Sequence, residues 1–599
     1  MREPKTVSNI LRQVFDKIFP ARIMWAFVFF GSFIVYLITL APTVTFWDSG
    51  DLVSASWCLG ISHQPGYPVL DMIGRLFSFL PLGNIAYRAN LQSAFFSSLA
   101  LLVLYFILLE ISETGAINRA PAFSKNGNIA AAIRPDAARP DAGRPVAALA
   151  ALLPAFVKPM WSQAVVTKPL ALNSFFISML VYAWVLAVRG KLSPERYFAL
   201  SGFLFGLGLV NHQSLILYAP ALLFSWFIVP LPGVGEDGAV RREREAYLPR
   251  IKLALLSLFF TLLGLSVYLY LPIRAAAMPV MNLGHPDTWR RFAWTVKWGE
   301  YLRAGIPYEN LPLIFKGINL KDPRLLLGVA AALFLAWRAL RRDLKLFLPI
   351  VVFMLVYISG IAMQTTGGAG SRFGLAAKFY IPAFIMAVPF IYAEGPWRAG
   401  RAWKTATTAV FAAVVVILLL SDFHQEDASH RFFAFDYAQN SLKSIDINGV
   451  LFTWGDNGAF PLWYLHDVEK YRDDAVVIHT PLMTYGWYLS DVQRWLGRDI
   501  KFAEPYYLGE NVYRILKTVE PSSGGRTVAY DYSTVKFLNL NTNTLHARGL
   551  VYFEGRIPPG NPWKFYVFRG VKDKKIYKDP MAKNIIQIYN YQKKFSNIF

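Results

Sequence analysis

The chain has 599 residues, of which 55% are hydrophobic, 16% aromatic and only 17% charged. That balance excludes a soluble globular protein and a disordered polymer, and it points to a polytopic membrane protein. The net charge of +22 would suit a nucleic acid, but lysines and arginines gathered in short loops between apolar runs are better explained by cytoplasmic retention, so no nucleic-acid partner is expected. The single cysteine, Cys58, excludes an internal disulfide framework and a cysteine-based metal site.

A basic start containing Arg2, Lys5, Arg12, Lys17 and Arg22 precedes the first apolar run, which is long enough to read as an uncleaved first span. Apolar runs recur near residues 23–40, 91–110, 146–160, 171–188, 198–212, 214–230, 253–272, 324–338, 346–363, 379–393 and 405–421, which gives about eleven transmembrane helices. Alternate connections are basic: Arg119, Arg134 and Arg144; Arg189, Lys191 and Arg196; Arg241, Arg242, Arg244 and Arg250; Arg338, Arg341, Arg342 and Lys345; Arg398, Arg401 and Lys404. The positive-inside rule then places the loops 41–90, 158–170 and 273–322 outside the cytoplasm, with everything after the last span. The third and fifth runs are broken by Pro154 and Pro159 or by glycines, and broken spans tend to line cavities.

The segment 111–145 holds two Arg-Pro-Asp-Ala repeats and reads as a low-complexity cytoplasmic linker without chemistry. It interrupts a transmembrane domain of residues 1–422. From residue 423 to 599 the composition is that of a soluble domain. Gly449–Gly455 reads as a buried strand, Ala459–Tyr471 as an amphipathic helix and Asp474–His479 as a second strand, one βαβ unit of a small extracytoplasmic α/β domain. Further strands are expected at Arg526–Tyr530 and Trp563–Phe568, and the lysine-rich tail suits acidic lipid headgroups or plain solvent.

Chemistry is sought first where carboxylates meet the membrane surface, because charge there is costly unless used. Phe46-Trp-Asp48-Ser-Gly-Asp51 places two acids within one helical turn. They serve either as N-terminal caps or as a general base toward a hydroxyl. His63-Gln-Pro-Gly-Tyr67-Pro68 must be an ordered turn, with His63 and Tyr67 either structural or facing substrate. Arg88 and Arg274 stand at span ends as interface anchors or as phosphate clamps, since guanidinium suits phosphate through paired donors. Asn211 and His212 end the fifth run, as a helix terminus or a substrate contact. Lys168 is an interfacial cation and so a site candidate. No nucleotide-binding loop or HExxH pattern occurs in a credible context.

Taken together, Ala41-Pro-Thr-Val-Thr-Phe-Trp-Asp48-Ser-Gly-Asp51, His63–Pro68, Arg88-Ala-Asn90, Trp161-Ser-Gln-Ala164 with Ala171-Leu-Asn173, Gly208–His212, Leu271-Pro-Ile-Arg274 and Gly284-His-Pro-Asp287 resemble a multipass membrane family. The family was long known only as a domain of unknown function, and its animal relatives are protein O-mannosyltransferases. The likeness covers residues 20–300, with a fainter echo from Phe452-Thr-Trp-Gly-Asp456-Asn457 to Tyr464. It implies a mostly α-helical glycosyltransferase of GT-C type. In that class an acidic residue of the first outer loop acts as base and the donor is a polyprenyl-phosphate sugar, so the role falls on Asp48, with Asp51 beside it.

One departure stands out. Relatives place a glutamate after the Trp-Ser-Gln-Ala run, where this chain has Lys168-Pro-Leu. The resulting expectation is an inverting transfer of a hexose, mannose by resemblance, to an outer acceptor hydroxyl on a protein or glycan, with membrane lipids as further partners. No cofactor is indicated, although Asp48 and Asp51 could share a divalent cation loosely. The rival is a lipid-carrier or glycan transporter without transferase activity.

Overall fold

The computed structural model describes residues 23–117, 144–229, 243–297, 334, 336–364, 381–393, 401–500, 510–555 and 557–596. The basic start, most of the 111–145 linker, the later part of the 273–322 loop and most of the expected span at 324–338 lie outside them.

Among the described residues, four helices are long and apolar enough to cross a membrane: Ile85–Ser112, Pro169–Val188, Arg250–Ala276 and Ala402–Glu426. A fifth span is formed if Arg144–Phe156 and Lys158–Ala164, bent by 77° at their junction, count as one. The bend falls between Pro154 and Pro159: Val157, which enters the second helix, leaves the helical region with ψ 140°.

Among the described residues eleven spans are not reached. The expected runs at 23–40 and 214–230 form apolar helices of under 18 residues, Met24–Ile38 and Gln213–Ile228, short of the roughly 20 residues that a bilayer core needs. The run at 346–363 lies in the 21-residue helix Leu344–Gln364, and that at 379–393 holds the helix Ile381–Ala393.

Burial separates two classes of span. In Ile85–Ser112 and Pro169–Val188, 61% and 72% of the most apolar stretch is buried, so these helices form the centre of the bundle. In Arg250–Ala276 and Ala402–Glu426 the shares are 17% and 11%, which leaves their apolar sides facing outward. The helix Pro194–Asn211 packs along Glu243–Leu265 through small residues. A side chain at Gly206 would meet the Thr261 carbonyl at 2.1 Å, so its glycines are contact residues of the kind that let membrane helices approach closely.

The carboxyl-terminal part carries a five-stranded sheet in the order β2-β1-β3-β5-β4, with β1 (Val450–Thr453), β2 (Val476–His479), β3 (Val528–Asp531), β4 (Leu545–Arg548) and β5 (Val551–Glu554). β1 pairs in parallel with β2 and β3, and β3, β5 and β4 pair antiparallel. The β1–helix–β2 unit stands where the sequence placed it. The strand expected at Trp563–Phe568 does not form: Pro562 opens a single 3-10 turn, Pro562–Phe565, whose entry Asn561 caps through the Trp563 N–H. β4 and β5 take its place in the sheet.

The carboxyl ends of the parallel strands, where α/β sheets hold their ligands, turn toward the first loop. After β1 the chain passes Gly455, at φ +80°, into the helix Asp456–Trp463. That helix lies against Ser49–Cys58 so closely that a side chain at Gly50 would meet the Phe460 carbonyl oxygen at 2.2 Å. Phe46 is buried among Phe433, Tyr437, Ile585 and Tyr589, and Val53, Ala86 and Ala89 join the core of the sheet.

Because both neighbours of Gly50 are backbone, Gly50→Ala must push the two helices apart. It is expected to destabilise the protein by about 1–3 kcal/mol, read as a lowered melting temperature in detergent. An unchanged melting temperature would show that the two helices separate freely.

Candidate active site

Asp48 stands at the amino end of the Ser49–Cys58 helix, but its side chain makes no capping hydrogen bond. Instead Lys168 Nζ donates to Asp48 Oδ2 at 2.5 Å. The lysine side chain is only 7% exposed, while that of Asp48 is 28% exposed. The capping alternative for Asp48 is thereby set aside: the partly exposed carboxylate is fixed by a buried ammonium. Lys168 itself is positioned by the extended backbone that precedes Pro169 and by its N–H, which donates to Ser93 Oγ.

Asp51 sits one turn further and is fully buried. Its Oδ2 accepts from the His63 backbone N–H at 3.1 Å and from His63 Nδ1 at 2.5 Å. Its Oδ1 has no hydrogen-bond partner among the described residues. Burial alone would lower the His63 pKa, but the Asp51 charge and hydrogen bond outweigh it, Asp48 and Asp456 add to them, and the imidazole is pushed up to about 9. Each acid of the Asp48/Asp51 pair thus faces a protein cation. Those two carboxylates are the ones that would hold a divalent ion, and no group of three or more His, Cys, Asp or Glu side chains is arranged around an ion site among the described residues.

The His63–Pro68 turn is ordered by Gly66, at φ +100°, and by Ser62, whose hydroxyl donates to the Gly66 carbonyl and lies 3.3 Å from Asp71 Oδ2. Asp71, missed in the sequence, is fully buried. Its carboxyl is held well above the usual range, chiefly by that burial and further by the Asp51 charge. The Tyr67 ring meets the His63 ring edge-on at 5.1 Å and stacks on the His212 ring at 6.3 Å. His212 Nδ1 accepts from the Ser214 N–H, which makes it the cap of the Gln213–Tyr218 turn. Asn211 Nδ2 donates to the Pro169 carbonyl. Asp48, Asp51, His63, Tyr67, Lys168, Asn211 and His212 therefore form one neighbourhood, in which Asn211 and His212 also shape the backbone.

The two arginines stand elsewhere. Arg274 donates from Nε to the Leu59 carbonyl at 2.5 Å and from Nη2 to that of Cys58 at 3.3 Å. It thereby satisfies orphan carbonyls at the far end of the Ser49–Cys58 helix, about 15 Å from Asp48 at the rise of an α-helix. Arg88 donates to the carbonyls of Leu82, Ser78 and Gly83. Both guanidiniums hold local backbone together.

The sheet supplies what the sequence reading left out. Asn457 Oδ1 accepts from the Trp47 N–H at 2.7 Å, and Trp47 is held in the left-handed region at φ +66° immediately before Asp48. Asp456 is exposed at the same mouth. The protein crowding it, with Asp48 and Asp51 nearby, keeps its carboxyl above the usual range against the pull of His63 and Lys168. The Phe460 ring stacks on that of His63 at 6.2 Å. The one advance signal was the fainter motif echo at 452–464.

Because the His63 pKa rises on folding, its pair with Asp51 stabilises the protein fully below about pH 6.5 and progressively less as pH rises through about 9. Wild type should lose melting temperature across that window in detergent, and His63→Gln should show a flatter profile. Parallel profiles would deny the pair its ionic character.

Comparison with known proteins follows the same two regions. Residues 48–230 match the family model described as the Protein O-mannosyl-transferase TMEM260 N-terminal domain, and residues 434–499 match TMEM260-associated domain 2. Asp48, Gly50 and Lys168 fall in the first match, and Asp456, Asn457 and Phe460 in the second. The chain is 24% identical over 511 residues to Protein O-mannosyl-transferase TMEM260 of Mus musculus, covering 78% of this chain and 64% of the mouse protein. It is 23% identical over 537 residues to Protein O-mannosyl-transferase tmem260 of Dictyostelium discoideum, covering 80% and 60%. It thus spans less than two thirds of the length of these relatives. Among solved structures, ArnT from Cupriavidus metallidurans bound to undecaprenyl phosphate aligns at TM-score 0.46 and 11% identity, covering 90% of this chain and 100% of that one. Its apo form aligns at TM-score 0.45. The chain is related in sequence, across both the Asp48 region and part of the sheet-bearing region, to the protein O-mannosyl-transferases named TMEM260.

Proposed function

We propose that the chain is an integral membrane glycosyltransferase of GT-C type. It moves a hexose, taken as mannose from the names of its relatives, from a polyprenyl-phosphate carrier to an acceptor hydroxyl outside the cytoplasm, that of a protein serine or threonine. The observation that carries this reading is the Asp48–Lys168 pair: a partly exposed carboxylate, free of capping duty, fixed by a buried ammonium at a mouth shared by the helices and the sheet.

In the transfer, the acceptor oxygen attacks the anomeric carbon as Asp48 takes its proton. The bond from that carbon to the phosphate oxygen breaks, and its electron pair leaves on the lipid phosphate. General-base help of this kind needs a carboxylate within hydrogen-bond reach of the hydroxyl, and the Asp48 side chain, held by Lys168, is 28% exposed. A single displacement inverts the anomeric centre. Asp51 and His63 hold the turn beneath Asp48, and Lys168 supplies positive charge where the phosphate leaves. The transporter alternative calls for charged groups along a path through the bilayer midplane. Asp48, Asp51, His63 and Lys168 instead gather at helix ends beside the sheet.

Two outcomes check this reading. Comparing the glycoproteome of cells lacking the gene with that of complemented cells should show hexoses lost from serine and threonine of exported proteins; identical glycoproteomes would remove protein O-glycosylation. Asp48→Asn strands the Lys168 ammonium without its counter-ion and should cost about 1–3 kcal/mol. The double variant Asp48→Asn/Lys168→Gln should recover most of that melting temperature. A double variant no more stable than the single one would show that the pair is not coupled.

A further inference from the structure

A cavity of about 410 Å³ lies along β2, and neither Asp48 nor any of the side chains gathered around it lines it. It is bounded by the first residues of β2, the buried Trp463, the 280–283 segment and the helix Gly486–Leu496, which brings Tyr488, Asp491 and Trp495. The 280–283 segment is fixed at both ends. Asn282 pairs with Ile61, whose carbonyl accepts from the Leu283 N–H. In the turn that follows, His285 Nε2 lies 2.8 Å from Asp491 Oδ2, with both side chains 8% exposed. The Gly284-His-Pro-Asp287 motif, which the site around Asp48 does not use, thus ties this wall to the sheet-bearing part.

Several polar groups of the lining have no partner. Asn282 is 6% exposed; its Nδ2 donates to the Ala275 carbonyl, while its buried Oδ1 finds no donor among the described residues. Such an acceptor is costly to leave unmade. β2 is an edge strand, and its register with β1 turns the backbone groups of Ala475, Val477 and His479 away from that neighbour. His466 Nε2 occupies the Ala475 carbonyl and the Tyr488 hydroxyl accepts the His479 N–H. Between them the Val477 N–H and C=O find no partner among the described residues. Asp473, Lys470 and Arg526 also line the cavity, and none of the three makes a side-chain hydrogen bond or ion pair among the described residues. The half-buried Trp495 ring is held edge-on against Tyr488 at 5.6 Å.

This set selects its ligand. An added peptide strand is disfavoured, because His466 and Tyr488 close the β2 edge on either side of Val477. A simple ion is disfavoured, because the unpaired charges are of both signs. A compact neutral molecule with several hydroxyls uses them all: a hydroxyl donates to Asn282, Val477 or Asp473 and accepts from Val477, Lys470 or Arg526, while a C–H face packs on Trp495. The volume is at the lower end of ordinary ligand pockets, roughly 300–1,000 Å³. We propose that this cavity is a saccharide-binding site separate from the transfer site, and that it takes a hexose already attached to the acceptor chain. Trp463 ends the helix that begins at Asp456 beside Asp48. Its length is about 10 Å at the rise of an α-helix, which an extended chain covers in about three residues. A hexose held here therefore keeps a hydroxyl about three to five residues along the same chain within reach of Asp48. The attachment to an acceptor rests on the transfer reading above; the binding of the saccharide does not.

The test is calorimetric binding of methyl mannoside, of a serine-rich peptide carrying one mannose and of the same peptide bare, to the full chain in nanodiscs, with melting curves for every variant. Asp473→Ala and Arg526→Gln should each weaken methyl mannoside binding about tenfold, the worth of one hydrogen bond to a charged group. Trp495→Ala should weaken it by a similar factor, and Trp495→Phe, which keeps an aromatic face, should stay within a few-fold of wild type. Asp48→Asn should bind methyl mannoside as wild type does, and the mannosylated peptide should bind at least about tenfold more tightly than the bare one. Wild-type affinity in Asp473→Ala, Arg526→Gln and Trp495→Ala, or loss of binding in Asp48→Asn, would overturn the site. A bare peptide that binds where methyl mannoside does not would make the cavity a peptide groove, and equal affinity for the two peptides would overturn the attached sugar. If methyl mannoside binds as expected while the wild-type protein transfers no hexose, the saccharide site stands and the transfer reading fails.

Discussion

The Ser49–Cys58 helix and the Asp456–Trp463 helix touch backbone to backbone at Gly50 and Phe460, and the geometry of the site depends on that contact. It brings the carboxyl ends of the parallel strands onto a loop that emerges from the membrane helices. It also puts Asn457 where it can accept the Trp47 N–H, so a tryptophan is kept in a backbone region that costs of order 1–3 kcal/mol outside glycine. Asp48 is the next residue. Its direction is set jointly by a strained neighbour, by the sheet and by the lysine that donates to it.

Two carboxylates three residues apart end in different electrostatic situations. Asp51 is sealed in and neutralised by the backbone and ring of His63, which makes it a fixed support for the His63–Pro68 turn. Asp48 keeps contact with solvent and is paired with a buried lysine. A buried pair is weak evidence for stability but strong evidence for specified geometry, since removing one partner strands the other. The lysine at position 168 places a buried cation directly beside the Asp48 carboxylate.

Much of this was legible in the sequence, for local reasons. Two carboxylates after an apolar run, prolines within a short span and alternating strands around a helical stretch each carry their own physical signal. The bent Arg144–Phe156 and Lys158–Ala164 pair and the β1–helix–β2 unit follow from them directly. The Asp48–Lys168 bond joins residues 120 positions apart, and only the packing of Pro169–Val188 against Ile85–Ile117 brings them together. Arg88 and Arg274 looked like phosphate ligands because span-end arginines usually have two uses. Their carbonyl partners at 58–59 and 78–83 depend on how short helices end, which a single sequence does not reveal. About eleven apolar runs can be read in the sequence, and four or five of them are long and apolar enough to cross a bilayer among the described residues.

The central claim is that Asp48 is the base of a sugar transfer. The most direct measurement is the rate at which purified protein in nanodiscs moves a labelled hexose from polyprenyl phosphate to an acceptor peptide, for wild type and for Asp48→Asn. The expected result is a fall of about a hundredfold to ten-thousandfold in the variant, the usual worth of general-base help, with the protein still folded and inserted. Turnover in Asp48→Asn close to that of wild type would contradict it and return the Trp-Asp-Ser-Gly-Asp motif to a purely structural role.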